Sequence, residues 1–199
     1  MRWARPILCQ DLPTAHFDVH YKKGQKKSTD IILEYPGSLI FLEVTASRPR
    51  LATRSQGDIE EIEAYINEVI LPKAKSINNS IRDFRNGSMD LQLRPFSHDQ
   101  RIFPVIVLYS GIPLVPPVWE LIDGILKENE VALDEPLTII SADELELITT
   151  MIHRGYSLEQ LIIKMHKSFM YRRLNIRTFL LDQMAGENMN NDFVFGSFE

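Results

Sequence analysis

Two runs of branched and aromatic residues, Asp30-Ile31-Ile32-Leu33-Glu34 and Leu39-Ile40-Phe41-Leu42-Glu43-Val44-Thr45, are separated only by Tyr35-Pro36-Gly37-Ser38. Such runs fit a pleated sheet and Pro-Gly marks a tight turn, so the segment predicts a β-hairpin. If Pro36 and Gly37 form a two-residue loop, Glu34 faces Leu39, Leu33 faces Ile40 and Asp30 faces Glu43. Pro-Gly suits a type II turn whereas two-residue hairpins prefer the primed types, which leaves open a longer loop and a register shifted by one. Ahead of the hairpin, Phe17-Asp18-Val19-His20-Tyr21 alternates apolar and polar, as a first strand does, and the lysine-rich stretch 22–27 connects it to the second. The three strands then form a meander.

From Asp58 the period changes. Ile59, Ile62, Ile66, Val69 and Ile70 recur at helical spacing, and Ala74, Ile77, Ile81 and Phe84 continue it past Pro72, which predicts one long helix kinked or broken near the proline. Asn86-Gly87-Ser88 ends it. The nearly all-apolar run from Phe103 to Tyr109 is that of a strand covered on both faces. A helix over 118–128 and a fifth strand at Leu137-Thr138-Ile139-Ile140 follow. Ser141-Ala142-Asp143-Glu144 and Ser157-Leu158-Glu159-Gln160 are capping boxes, predicting helices to about Arg154 and Met170, the first of them stopped at Gly155. The order is β-β-β-α-β-α-β-α-α. Residues 1–15 show no period and read as irregular or truncated, 16–184 as a single α/β domain, and 185–199 as a flexible tail.

Composition adds boundaries. The chain has 199 residues, 44% of them hydrophobic and 25% charged, which suits one globular domain with a sizeable core. The single Cys9 rules out an internal disulfide and any cysteine-rich metal site. No apolar run approaches the roughly 18 residues of a membrane span, so the expectation is a soluble cytoplasmic protein without a membrane partner. A formal charge of −5 argues against a generally basic nucleic-acid-binding surface, but Lys22 and Lys23, and Arg48, Arg50 and Arg54 after the acidic strand, are local basic clusters able to meet phosphate.

The facing acids carry the chemistry. Two carboxylates about 5 Å apart repel by roughly 3 kcal/mol at an effective dielectric near 20, and a hard divalent cation such as Mg2+ relieves that by taking carboxylate oxygens. The bland alternative has Asp30 capping a strand end at solvent and Glu43 paired with Arg48. His16, Asp18 and His20 would share one face of the first strand, but without a third ligand at recognisable spacing they make a poor zinc site. Gly-x-Ser-x-Gly, Gly-x-x-x-x-Gly-Lys and Gly-x-Gly-x-x-Gly are all absent, which removes support for serine hydrolases, nucleotide triphosphatases and dinucleotide enzymes.

A meander, a long helix and then a buried strand, with Asp30 on the second strand and Glu43-Val44-Thr45 on the third, resembles the PD-(D/E)xK phosphodiesterase superfamily, which includes restriction endonucleases. The resemblance covers roughly residues 16–110 and implies a restriction endonuclease-like core: a mixed central sheet flanked by helices, here with a helical C-terminal extension. It further implies that Asp30 and Glu43 bind Mg2+ or Mn2+ and that the activity is cleavage of DNA phosphodiesters. Members often cut as dimers or within larger proteins. Thr45 stands where the family has a lysine and cannot carry its charge. The resemblance therefore makes Asp30, Glu43 and Thr45 the motif positions and leaves the amine to a neighbouring element: Lys73 or Lys75 on the long helix, or Arg48 and Gln56. Loss of the lysine leaves two expectations, an endonuclease or an inactive nuclease-fold module used for binding or assembly. The family also contributes a Glu from a helix before the first strand, and residues 1–15 hold Asp11 but no Glu.

Overall fold

The hairpin forms with Pro36 and Gly37 as its two-residue loop. In the computed structural model, which describes residues 14–21, 26–49, 58–89 and 100–186, strand β4 (Ile31–Tyr35) pairs antiparallel with β5 (Ser38–Thr45) through Tyr35 and Ser38, Glu34 and Leu39, and on to Ile31 and Leu42. Gly37 does not take the positive φ that a type II turn needs at its second central residue. The expected register is therefore kept by a different turn. Lys22, Lys23, Arg50, Arg54 and Gln56, with residues 1–13 and 187–199, lie outside the described residues.

The first strand is where the sequence reading needs correction. Strand β1 (Thr14–Phe17) pairs with β4, after which Asp18 adopts φ 47° and ends it. That left-handed residue turns the chain into a separate ribbon, β2 (His20–Tyr21) against β3 (Lys26–Lys27). His16, Asp18 and His20 consequently do not share one strand face. His16 instead lies 3.4 Å from Glu34. The ribbon is tied to the long helix by Asp83, whose Oδ2 accepts from the Tyr21 hydroxyl at 2.7 Å and the Lys26 amine at 2.9 Å.

That helix runs as α1 (Ile59–Tyr65), a π-helical turn over Ile66–Ile70, and α2 (Leu71–Arg85). Asp58 caps its start, accepting from the amides of Glu60 and Glu61. Pro72 neither breaks nor ends it. The amide of Leu71 bonds back five residues to Ile66, so the helix widens just ahead of Pro72, which has no N–H to continue the ladder. The same turn resets the phase: Ile62, Ile66, Ile70 and Ala74, each four apart, are all buried.

Strand β6 (Arg101–Leu108) pairs parallel with β5, and β7 (Thr138–Ser141) pairs parallel with β6, giving the sheet order β1-β4-β5-β6-β7. Pro104 stands one residue before β7 begins to pair at Val105, where β6 is flanked only by β5. A residue without an amide hydrogen is tolerated there. Helices α1 and α2 and α3 (Pro116–Glu128) cover one face, packing on Ile32, Leu39, Phe41, Ile102 and Ile106. Helices α4 (Ala142–His153), α5 (Leu158–Lys167) and α6 (Ile176–Gly186) cover the other, on Ile31, Leu33, Ile40, Leu42 and Val105. This three-layer α/β arrangement contains the meander, the long helix and the buried strand expected from the sequence. Both capping boxes form. Helix α6 escaped the sequence reading, although Asn175 opens it in the usual way, accepting from the Thr178 amide at 3.0 Å. No helix among the described residues is long and apolar enough to cross a membrane.

One buried contact between layers predicts a pH effect. His166 on α5 meets the Thr138 hydroxyl at 2.9 Å and packs on Phe103. Burial pushes its pKa below the ordinary histidine range, only partly opposed by Glu135. Its folded pKa being depressed, the stability it contributes is present above about pH 6.5, the unfolded value, and is lost as pH falls through the folded one. Urea melts between pH 7 and 5 are expected to show a smaller acid loss in His166→Gln than in wild type. Equal slopes would place the acid sensitivity elsewhere.

Candidate active site

Alternation along β5 turns Leu39, Phe41 and Glu43 toward the α1–α2 layer and Ile40, Leu42 and Val44 away from it. Along β4 the same parity puts Ile32 on the α1–α2 side, and Asp30, immediately before the strand, continues it. Both acids are buried, each 4% exposed. Asp30 is thus not a solvent cap: its Oδ2 accepts from the amide of Val44 at 2.9 Å, which locks the carboxylate across the hairpin beside Glu43.

The long helix supplies the counter-charge. Lys73 Nζ lies 2.6 Å from Glu43 Oε2 and 3.7 Å from Asp30 Oδ2. One turn on, the Ser76 hydroxyl donates to Glu43 Oε1 at 2.6 Å. Residues three apart share a helix face, and both flank the buried stripe of Leu71, Ala74 and Ile77. A second amine arrives from the ribbon, where Lys27 Nζ lies 3.0 Å from Asp30 Oδ1 and 2.8 Å from Asp18. The backbone reinforces this corner, with the Asp18 amide donating to the Asp30 carbonyl at 3.1 Å.

These surroundings pull the two acids apart electrostatically. Burial pushes Asp30 up, but the Val44 amide, Lys27 and Lys73 outweigh it, and its pKa is held below the usual carboxylate range. For Glu43 burial prevails: Lys73 and Ser76 offset it only in part, the Asp30 charge adds to it, and its pKa is raised. An anion beside a more readily protonated partner is a common outcome when two carboxylates share a site.

The remaining sequence candidates sort by position. Thr45 is half-buried on the Glu43 side of β5, its hydroxyl accepting from the Ser47 amide at 3.1 Å, and it carries no charge into the site. Lys75 points elsewhere, to Asn129 at 2.9 Å. Arg48 is exposed with its guanidinium 4.7 Å from the centre of the Tyr109 ring; the partners of Glu43 are Lys73 and Ser76. The sequence does not single out Ser76; Lys27 falls in its lysine-rich stretch 22–27 and Asp18 on its His16–His20 face, neither of them assigned there to the acid pair. The Lys27-x-x-Asp30 and Lys73-x-x-Ser76 spacings were the available signals, and neither is specific alone.

The donor set suits a hard divalent ion. Two buried carboxylates on adjacent strands offer anionic oxygens, the ligands Mg2+ and Mn2+ favour. Among the described residues no group of three or more His, Cys, Asp or Glu side chains is placed to hold a metal. Two carboxylates fill only part of the octahedral shell such an ion prefers, and water and a substrate oxygen could take other positions.

No family model and no curated protein matches the chain. Among solved structures it is similar to the small subunit of the heterodimeric restriction endonuclease R.BspD6I, at 12% sequence identity and a TM-score of 0.45, over 94% of this chain and 85% of that one.

Proposed function

We propose that this chain is a divalent-metal-dependent endonuclease of the PD-(D/E)xK type, hydrolysing DNA phosphodiesters, with its lysine supplied by helix α2 instead of strand β5. The observation that carries this reading is the single amine of Lys73 within 4 Å of both the Asp30 and Glu43 carboxylates. Asp30 and Glu43 are the ligand pair for Mg2+ or Mn2+. Bound there, such an ion supplies Lewis acidity and lowers the pKa of an attacking water. The chain's own groups do the positioning: the Val44 amide fixes Asp30, the Ser76 hydroxyl fixes Glu43, and the Lys73 ammonium offers donors toward charge developing on the phosphate. Arg48, exposed at the end of β5, and the basic residues 22, 23, 50 and 54 are the proposed contacts to the DNA backbone.

A second reading has its own supporting observation. Every oxygen of the two carboxylates is engaged by a donor from the chain itself, Lys27, Val44, Lys73 or Ser76. A pair so satisfied can serve as a buried structural cluster in a non-catalytic module. Calorimetry with Mg2+ and Mn2+ on the wild-type chain, beside plasmid nicking with and without chelator, separates the two. Millimolar or tighter metal binding with chelator-sensitive nicking is the expected result. Binding without nicking supports the module, and neither binding nor nicking overturns the metal site.

A further inference from the structure

Lys27 is a cation the family motif does not account for. It stands on the short ribbon β2–β3, and that ribbon is held against α2 by buried Asp83, so its position is set by tertiary structure. Its amine touches two carboxylates of different character. Asp30 is buried and belongs to the ligand pair, whereas the Asp18 side chain is 58% exposed and sits at the left-handed bend that launches the ribbon. The Lys27 side chain is itself 40% exposed, so its amine reaches solvent at the mouth of the site.

These facts set up a competition. Lys27 and a divalent ion held by Asp30 would be two cations on one carboxylate, and they repel. Asp18 lies 2.8 Å from the same amine, and its bond to Lys27 does not depend on Asp30. When Asp30 is taken, Lys27 retains a partner beside the site, with donors free to face an anion. Lys26, its neighbour, remains fixed on Asp83 and keeps the ribbon in place.

We propose that Lys27 is a positioning residue with two alternating partners: it neutralises Asp30 in the metal-free chain, and on metal loading it is displaced yet retained by Asp18 at the site mouth, where it pairs with a backbone phosphate of DNA. This rests on the reading of Asp30 and Glu43 as a metal-binding pair. Lys27 opposes metal binding and favours substrate binding, two signs that a purely structural lysine would not combine. Asp18 acts in the other direction on the metal, by drawing Lys27 away from Asp30.

The test is Mn2+ calorimetry without DNA on wild type, Lys27→Met, Asp18→Asn and the double variant, followed by nicking kinetics at saturating metal. Lys27→Met is expected to tighten Mn2+ roughly 3- to 5-fold, the scale of a partly exposed ion pair. The same variant is expected to raise KM for plasmid several-fold with kcat little changed. Asp18→Asn is expected to weaken Mn2+ about 2- to 3-fold, and that effect is expected to vanish in the Lys27→Met background. Unchanged or weaker Mn2+ binding in Lys27→Met overturns the proposal, as does an Asp18→Asn effect that persists without Lys27. If wild type binds and nicks while these shifts are missing, only the role of Lys27 falls. If wild type binds no metal, the metal-site reading falls with it.

Discussion

Lys73→Ala is expected to lower plasmid nicking by about 10²- to 10⁴-fold, the range typical of losing a positioned proton-bearing group, while Mn2+ still binds. Among the described residues Lys73 is the amine within 4 Å of both carboxylates, and Lys75, two residues on, faces Asn129. The variant is also expected to be less stable by about 1–3 kcal/mol, because buried Glu43 loses the Lys73 ammonium and is left, among the described residues, with the Ser76 hydroxyl as its close donor. Added Mn2+ then recovers more melting temperature in Lys73→Ala than in wild type, since an ion that binds only the folded state stabilises it by linkage. A rescue makes the assignment specific. Thr45 lies two residues beyond Glu43, on the same side of β5, where the resembling family carries its lysine. Thr45→Lys in the Lys73→Ala background is expected to restore nicking at least tenfold. Wild-type rates in Lys73→Ala would remove Lys73 from the chemistry, and failed rescue in a folded double variant would confine the amine to the helix.

The two acids are expected to respond oppositely when neutralised. Asp30 has a depressed folded pKa, so its charge contributes stability above about pH 4, the unfolded value, and that contribution is lost as pH falls through the folded pKa. Glu43 has a raised folded pKa, so its charge costs stability at neutral pH, and the cost disappears as pH falls from the folded pKa toward the ordinary value. At pH 7, Asp30→Asn is therefore expected to destabilise by about 1–3 kcal/mol, because an amide group replaces an anion that faces Lys27 and Lys73. Glu43→Gln is expected to leave stability within about 1 kcal/mol of wild type or to raise it. The Glu43 difference shrinks as pH falls toward the ordinary glutamate value, whereas the Asp30 difference persists to about pH 4 and shrinks only below it. Both variants are nonetheless expected to lose Mn2+ binding by at least tenfold, because each removes one of the two proposed anionic ligands. Chemical denaturation across pH, with calorimetry at pH 7, reads all of this. Equal destabilisation by the two substitutions would mean that burial does not dominate at Glu43.

Much of the sheet was readable from periodicity. The nearly all-apolar run of β6 announces a strand covered on both faces, and the hairpin register followed from the two residues between its arms. The capping boxes at Ser141 and Ser157 named the starts of α4 and α5. What periodicity missed has local physical causes. Asp18 takes a left-handed φ, which an alternating pattern cannot express, so one expected strand became β1 and a separate ribbon. Pro72 reads as a helix break, but the helix continues through it with a π-helical turn immediately ahead.

The candidate site divides along the same line. A hairpin pairs residues that are close in sequence, so a two-residue loop puts Asp30 and Glu43 side by side, while packing decides that they face the α1–α2 layer. Lys73 is 30 residues beyond Glu43 and Ser76 is 33 beyond it. Their arrival depends on where the π-helical turn sets the phase of α2 and on how that helix crosses β5, which are packing outcomes of the whole core. Lys27 stands only three residues before Asp30, and Asp83 on the same helix bonds the ribbon that carries it. Short-range strand geometry therefore pairs the acids and brings Lys27 near them, whereas Lys73 and Ser76 meet them through packing of the helix layer on the sheet, which residue spacing does not encode.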